Sequence, residues 1–404
     1  MLGKPAATCA AVASLLIVAG CSAPEQDTVA AQQTDFRAQW TLAQDPVRFT
    51  EYPTLRGTGR ADVVGDVVFS SDIDGVRAVD GRNGRGLWRS SELEERRGVD
   101  GFAPPVPGSS PVLLGRNEPV VFTGWSDPKN KVGVAALRGS TGEPWWQGEL
   151  DGNVPKDATA AASLVVAASS AGVAVRVYDA VAEVSYASVM LDSTTGETIW
   201  REPDFGAAGA TDEVVLGKRA VPNARYAALD AETGEPRWTL PRTVGNHDWS
   251  TSETRLVYAN QQTAVFASAE SFSVVVDIGT GEVREVRPVG GGCVGQGDRL
   301  AVCGLAERDG KPYAPFGLDP STGAQVPLDK VRKALGPDGT VTGATDTHVY
   351  GAAADGAGRV FDLGTGEQQG EDLPVPMRAV GNGFGISQDT PLSAWQIYPA
   401  LNPN

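Results

Sequence analysis

The chain is poor in the side chains that most often carry chemistry. Its 404 residues include two histidines, His247 and His348, and four cysteines with no Cys-x-x-Cys pair. No zinc site is legible, because tetrahedral zinc needs three or four nitrogen or sulfur ligands at short spacings. No Gly-x-Ser-x-Gly elbow occurs, and so the strand-to-helix nucleophile turn of an α/β-hydrolase is missing. Cationic residues are also scarce, 34 against 50 acidic ones, for a net charge of −16. A surface of that sign is repelled by nucleic acid and by bare anionic lipid, and no nucleic-acid partner is expected. The apolar stretch around Leu15-Leu-Ile-Val18 is too short to span a bilayer.

What the chain does have is glycine at a fixed phase. Seven segments share one pattern: VDGRNGRGLW (79–88), LRGSTGEPWW (137–146), LDSTTGETIW (191–200), LDAETGEPRW (229–238), VDIGTGEVRE (276–285), LDPSTGAQVP (318–327) and FDLGTGEQQG (361–370). Six lead with aspartate, at Asp80, Asp192, Asp230, Asp277, Asp319 and Asp362, and one leads with Arg138. Four residues on stand Gly84, Gly142, Gly196, Gly234, Gly281, Gly323 and Gly366; eight residues on, the first four copies hold Trp88, Trp146, Trp200 and Trp238. In the last three copies that place is taken by Glu285, Pro327 and Gly370.

An aspartate opening a type I turn accepts bonds from backbone N–H groups two and three residues on, and glycine supplies the left-handed residue that closes it. The pattern therefore predicts hairpins, each preceded by further short apolar runs such as Arg255-Leu-Val-Tyr258 and Ala264-Val-Phe266. About four strands per unit, with leaders spaced 58, 54, 38, 47, 42 and 43 residues apart, give the period of propeller blades. The expected fold is all-β, an eight-bladed β-propeller of four-stranded antiparallel blades, with seven blades as the alternative. The eighth blade would combine Ala379–Ile386 and Leu392–Tyr398 with an N-terminal strand, Phe36 to Leu42, that closes the ring. The four repeat tryptophans are expected to pack between blades.

Lys4, a short apolar run and Val18-Ala-Gly-Cys21 have the layout of an export signal ending in a lipobox. The expected organisation is a signal peptide over 1–20, a lipidated Cys21 with a flexible tether over 21–36, and a propeller over 37–404. Cleavage removes Lys4 and no acid, taking −16 to −17, and the lipid rather than charge must then hold the protein to the outer face of its membrane. If the cell has two membranes, Ser22 after the cysteine favours the outer one.

Once Cys9 leaves and Cys21 is lipidated, Cys293 and Cys303 remain, symmetric about Gln296-Gly-Asp298. That symmetry faces them across one hairpin, where a disulfide is possible in an oxidising compartment; the alternative is two reduced, buried thiols. Gly290-Gly-Gly-Cys-Val-Gly295 matches a dinucleotide fingerprint in letters only, since a hairpin and not a helix follows. Ser71-Asp-Ile-Asp-Gly75 reads as a solvated turn, with no downstream acidic ligand for calcium. One connection stands apart: His247, Asp248 and Trp249 together form a candidate interaction loop, Trp249 being either an anchor on a ring face or a packing residue between blades.

The units of the form (Y/V)xxLDxxTGExxW resemble the PQQ-type propeller repeat, over residues from about 61 to 373. That repeat is found in quinoprotein alcohol and glucose dehydrogenases and in cofactor-free relatives such as the lipoprotein subunit of the outer-membrane β-barrel assembly machine. Many quinoprotein dehydrogenases carry an adjacent-cysteine disulfide over the cofactor along with calcium ligands. This chain has no adjacent cysteines, and no calcium set maps onto it. With a full set of repeats and no legible catalytic set, the expectation is a non-catalytic, monomeric, lipid-anchored propeller that presents loops and strand edges to an envelope protein or peptide, with no cofactor, PQQ included, and no metal. The alternative is a quinoprotein-like or other enzyme, or a small-molecule binder, using the central channel.

Overall fold

The computed structural model describes residues 61–399, apart from 91–111, 115–118, 127–130, 155–157, 220–224, 250–253, 269–271, 288–292, 295–299, 304–306, 388–395 and shorter gaps. The signal peptide, Cys21, the tether and the closing strand at Phe36–Leu42 lie outside the described residues.

All seven turns close in one way. The glycine N–H donates to the leader's carbonyl, as in Gly196 to Asp192 at 2.9 Å, and the leader's N–H donates to the carbonyl five residues on, as in Asp192 to Glu197 at 2.8 Å. The seven glycines have φ between 69° and 76°, a conformation in which a Cβ would crowd the backbone. The aspartates work as expected: Asp192 Oδ1 accepts from Thr194 N at 2.8 Å and Thr195 N at 2.7 Å. The turn led by Arg138 closes through the same two main-chain bonds.

Six of the turns join the third and fourth strands of an antiparallel sheet in which those strands follow sequence order. The first blade is Ala61–Val64, Val67–Asp72, Gly75–Asp80 and Gly86–Arg89. The second is Val112–Leu114, Val120–Ser126, Val132–Arg138 and Pro144–Glu149. The third is Ala161–Ser169, Gly172–Asp179, Ser185–Leu191 and Thr198–Pro203. The fourth runs from Phe205–Ala210 to Pro236–Thr239, the fifth from Arg255–Ala259 to Val283–Arg287, and the sixth from Cys293–Val294 to Gln325–Val326. First strands of successive blades neighbour one another around much of the ring, and fourth strands form the outer rim.

Seven blades carry the repeat, the number held as the alternative. The expectation of eight four-stranded blades is corrected. The seventh blade has three strands, Thr340–Ala344, His348–Ala352 and Gly358–Asp362, extended by single bridges from Phe361 to Gln368 and from Gly358 to Leu373. Beyond it comes a smaller sheet of Ala379–Gly381, Phe384–Ser387 and Gln396–Pro399, without the Asp/Gly turn. Gln396 stands where the aspartate would, and no glycine follows to close a fourth-strand hairpin.

The core is divided among the junctions between sheets. Strand alternation sends Val173, Val175 and Val177 into the cluster shared with the second blade, and Ala174 into the one shared with the fourth. The small sheet packs Val380 and Tyr398 against the seventh blade and Phe384, Ile386 and Ile397 against Ala61, Val68 and Val79 of the first. It is thus wedged into the seam of the ring.

Candidate interaction surfaces

The tryptophans do more than fill space. Trp88 Nε1 donates to Gly139 O at 2.6 Å, Trp146 to Ser193 O at 2.9 Å, Trp200 to Ala231 O at 2.8 Å and Trp238 to Ile278 O at 2.7 Å. Every acceptor lies one residue past the leader of the next blade. The same indoles cover the next blade's glycine: a Cβ on Gly142, Gly196, Gly234 or Gly281 would run into Trp88, Trp146, Trp200 or Trp238 respectively. Each copy of the repeat therefore clasps its successor. Where the tryptophan is lost, aliphatic stems take over, Arg284 against Gly323 and Lys330 against Gly366. Sequence reasoning placed these residues between blades but missed the pairing, whose signal is that each tryptophan precedes a copy with the Thr-Gly step.

The leading carboxylates are occupied in the same way. Backbone donation from Thr195 and Thr194 holds Asp192 below the usual carboxylate range, and the Arg237 guanidinium does so for Asp230. Ionised and held by these donors, the carboxylates stabilise the turns. Nearer the axis, the turns between first and second strands are stitched from blade to blade: Ser170 N and Oγ donate to Asp212 Oδ1 at 2.8 and 2.7 Å, and Asp212 N donates to Gln261 Oε1 at 3.0 Å.

Of the candidate loop His247, Asp248 and Trp249, the tryptophan takes the packing alternative. His247–Asp248 is a two-residue strand paired with Thr243–Val244. Trp249 is 1% exposed and sits among Val214, Tyr226, Leu240 and Phe266, between the fourth and fifth blades. It is a packing residue whose large apolar ring fills the junction between the two blades. Cys293 and Cys303 face each other in the first two strands of the sixth blade and are joined as a disulfide. The turn at Ser71–Gly75 is a hairpin that pairs Asp72 with Gly75.

At the end of the sheets opposite the signature turns, polar side chains span the third to fifth blades. The Arg176 guanidinium lies 5.1 Å over the Tyr178 ring, and burial pushes the Tyr178 phenol up to about 12. Lys218 lies 5.7 Å over Tyr226, whose hydroxyl donates to Thr254 O at 3.2 Å and accepts from Leu256 N at 3.0 Å. Burial lowers Lys218 and raises Tyr226. This set joins blades, and neither phenol is poised to ionise near neutrality. The helix Asp329–Leu335, which sequence reasoning missed, follows a sixth fourth-strand cut to Gln325–Val326. Leu328, Val331 and Leu335 give it a helical apolar stripe that packs on the seventh blade. A cleft of about 480 Å³ opens beside it, lined by Pro315, Arg332, Lys333, Leu335 and Val341 among others. Among the described residues no group of three or more His, Cys, Asp or Glu is placed to hold a metal ion.

Sheets, turns and blade-to-blade clasps define the class: an all-β propeller of four-stranded antiparallel blades. Residues 130–296 match the profile of a family described as outer membrane protein assembly factor BamB. Over that stretch the chain is similar to BamB, and its repeats resemble the PQQ-type propeller repeat. No curated protein matches the chain. Among solved structures, it is similar to BamB from Moraxella catarrhalis, at 18% identity over 87% of this chain and 97% of that one, with a TM-score of 0.45. Similarity also extends to the computationally designed Ika8 protein, at 16% identity over 88% and 100% with a TM-score of 0.48. The quinohemoprotein alcohol dehydrogenase from Comamonas testosteroni is similar at 13% identity over 86% and 75%, with a TM-score of 0.48.

Proposed function

We propose that the protein is a non-catalytic assembly scaffold of the bacterial cell envelope, lipidated at Cys21 and held on the outer face of its membrane. The observation that carries this reading is that the repeat spends its polar and aromatic side chains on holding blades together. The aspartates cap turns and the tryptophans clasp neighbouring blades. What remains for function is surface. The match of residues 130–296 to an assembly-factor profile supports the same reading, and the disulfide fits an oxidising compartment.

The test is cross-linking in cells with the lipid anchor intact, alongside Cys21→Ser. A defined envelope protein recovered with the wild type and lost with the unanchored variant supports the scaffold. Purified protein that gains a quinone absorption band and dehydrogenase activity on addition of PQQ and calcium overturns it in favour of an enzyme.

A further inference from the structure

The two ends of the wheel differ in charge. Glu143, Glu197, Glu235, Glu282 and Glu367 directly follow signature glycines and add to the six leading aspartates. Asp66, Asp212 and Glu213 join them from the turns between first and second strands, which lie at the same end. The described cations there, Arg82, Arg85, Arg138, Arg237 and Arg284, balance fewer than half of these carboxylates. At the opposite end of the third to fifth blades the charges nearly cancel. Arg219 pairs with Glu202 at 2.8 Å, and Arg287 pairs with Glu285. Arg176, Lys218, Arg225, Arg242 and Arg255 are offset by Asp204 and Asp248 and, in the sequence of the connections, by Glu183, Glu253 and Glu270.

That neutral end also presents the two most exposed large apolar side chains among the described residues, Val181 at 72% and Val184 at 49%, in the turn between the second and third strands of the third blade. The turn is fixed from inside. Asp179, itself buried, accepts from Val181 N at 2.9 Å, Ala182 N at 2.8 Å and the Tyr186 hydroxyl at 2.8 Å, and its own N–H donates to Val184 O at 2.8 Å. These bonds hold the valines outward. The chain enters at the same end: Val64 pairs with Val67 beside the first turn and Ala61 with Ser70 away from it, so the segment bearing Cys21 leaves from the face without the signature turns.

We propose that the propeller rests on its own bilayer through this end, with Val181 and Val184 in the headgroup region and the acidic signature turns facing away; this rests on the lipid anchor proposed above. Two valines fall far short of the roughly 800 Å² that each side of a stable protein interface covers. On a membrane already held by acyl chains they need not supply the affinity, and serve only to select which end faces down. Charge selects the same end. Anionic headgroups repel the turn end more strongly than the neutral one, and screening over about 8 Å at physiological salt leaves the nearest face to decide.

The test uses the full lipidated chain in vesicles of phosphatidylcholine and phosphatidylglycerol. Ala182→Cys places a fluorophore on the tip and Thr194→Cys places one on a signature turn, since Cys293 and Cys303 are already bonded to each other. Lipid spin-labelled at its headgroup is expected to quench the label at 182 about twofold or more over the label at 194. Val181→Asp together with Val184→Asp brings quenching at 182 down to the level at 194 while the protein melts like the wild type. Equal quenching at the two sites, stronger quenching at 194, or quenching at 182 unmoved by the double variant overturns the proposal. So does a tip that stays unquenched on the vesicle, which leaves it for a protein partner. The anchor reading fails separately: an intact mass without acyl chains on Cys21 sinks the anchor, whereas an acylated chain with an unquenched tip sinks the orientation alone.

Discussion

At the residue scale, the glycines that share one backbone conformation do not share one environment. Gly196 has φ +75°, and a Cβ there would come within 2.5 Å of Trp146, whereas Gly356 has φ +85° and nothing within 4 Å of its Cβ position. Gly356→Ala therefore meets only the left-handed backbone penalty, about 1–2 kcal/mol. Gly196→Ala adds the displacement of a docked indole, an overpacking cost of about 1–3 kcal/mol on top of that penalty. Urea unfolding midpoints measure the difference: the Gly196 variant is expected to fall well below the Gly356 variant, and equal losses would show that the tryptophan gives way freely. The same reasoning explains why Thr-Gly persists into copies that have lost the tryptophan. Arg284 and Lys330 still crowd Gly323 and Gly366 from the preceding blade or its outgoing helix.

At the scale of elements, the turns were legible and the partners across the junctions were not. A hairpin is a local object, so Asp192, Thr195 and Gly196 announce it within a single copy. The clasp from Trp200 to Ala231 joins residues of two copies and becomes visible only when each copy is set against the next. The helix Asp329–Leu335 was hidden for another reason: its apolar positions fall inside a stretch where the repeat predicts strand. Trp249 was ambiguous in sequence because a loop tryptophan serves equally as anchor or filler until its burial is known. The sixth blade shows what a disulfide can add to an element. Among the described residues its strands run two, three, three and two residues, and Cys293–Cys303 joins the first two of them. The link ties the first strand of the blade to the second across the Cys293–Cys303 pair. The double change Cys293→Ala and Cys303→Ala is expected to cost about 3 kcal/mol, the loop-closure value for a short loop, and to speed amide exchange in 293–326 above all other blades. Intact mass checks the premise, because the wild type gains two hydrogens on reduction and the variant gains none.

For the whole molecule, the question is what holds the ring shut. The repeat makes each blade's apolar face complementary to the next, and a ring of such units leaves two faces bare unless the ends meet. The small sheet at 379–399 covers both, one with Val380 and Tyr398 and the other with Phe384, Ile386 and Ile397. Sequence reasoning found this sheet from Ala379–Ile386 and Leu392–Tyr398, yet could not find its size, because the signature that marks a blade is missing here. Phe384 is the pivot of the seam. It is fully buried, and its ring fills the space where a Cβ on Gly81 of the first blade would stand. Phe384→Ala opens a cavity at the one junction that joins the chain's two described ends, with an expected cost of about 3–5 kcal/mol. Gly81→Val overfills the same space from the other side, at about 1–3 kcal/mol. Because both act on one volume, the double variant should recover part of the loss, with a coupling of about 0.5–3 kcal/mol in a double-mutant cycle. A cycle that closes additively would mean that the two residues do not meet in solution, and that the ring is shut by something other than this sheet.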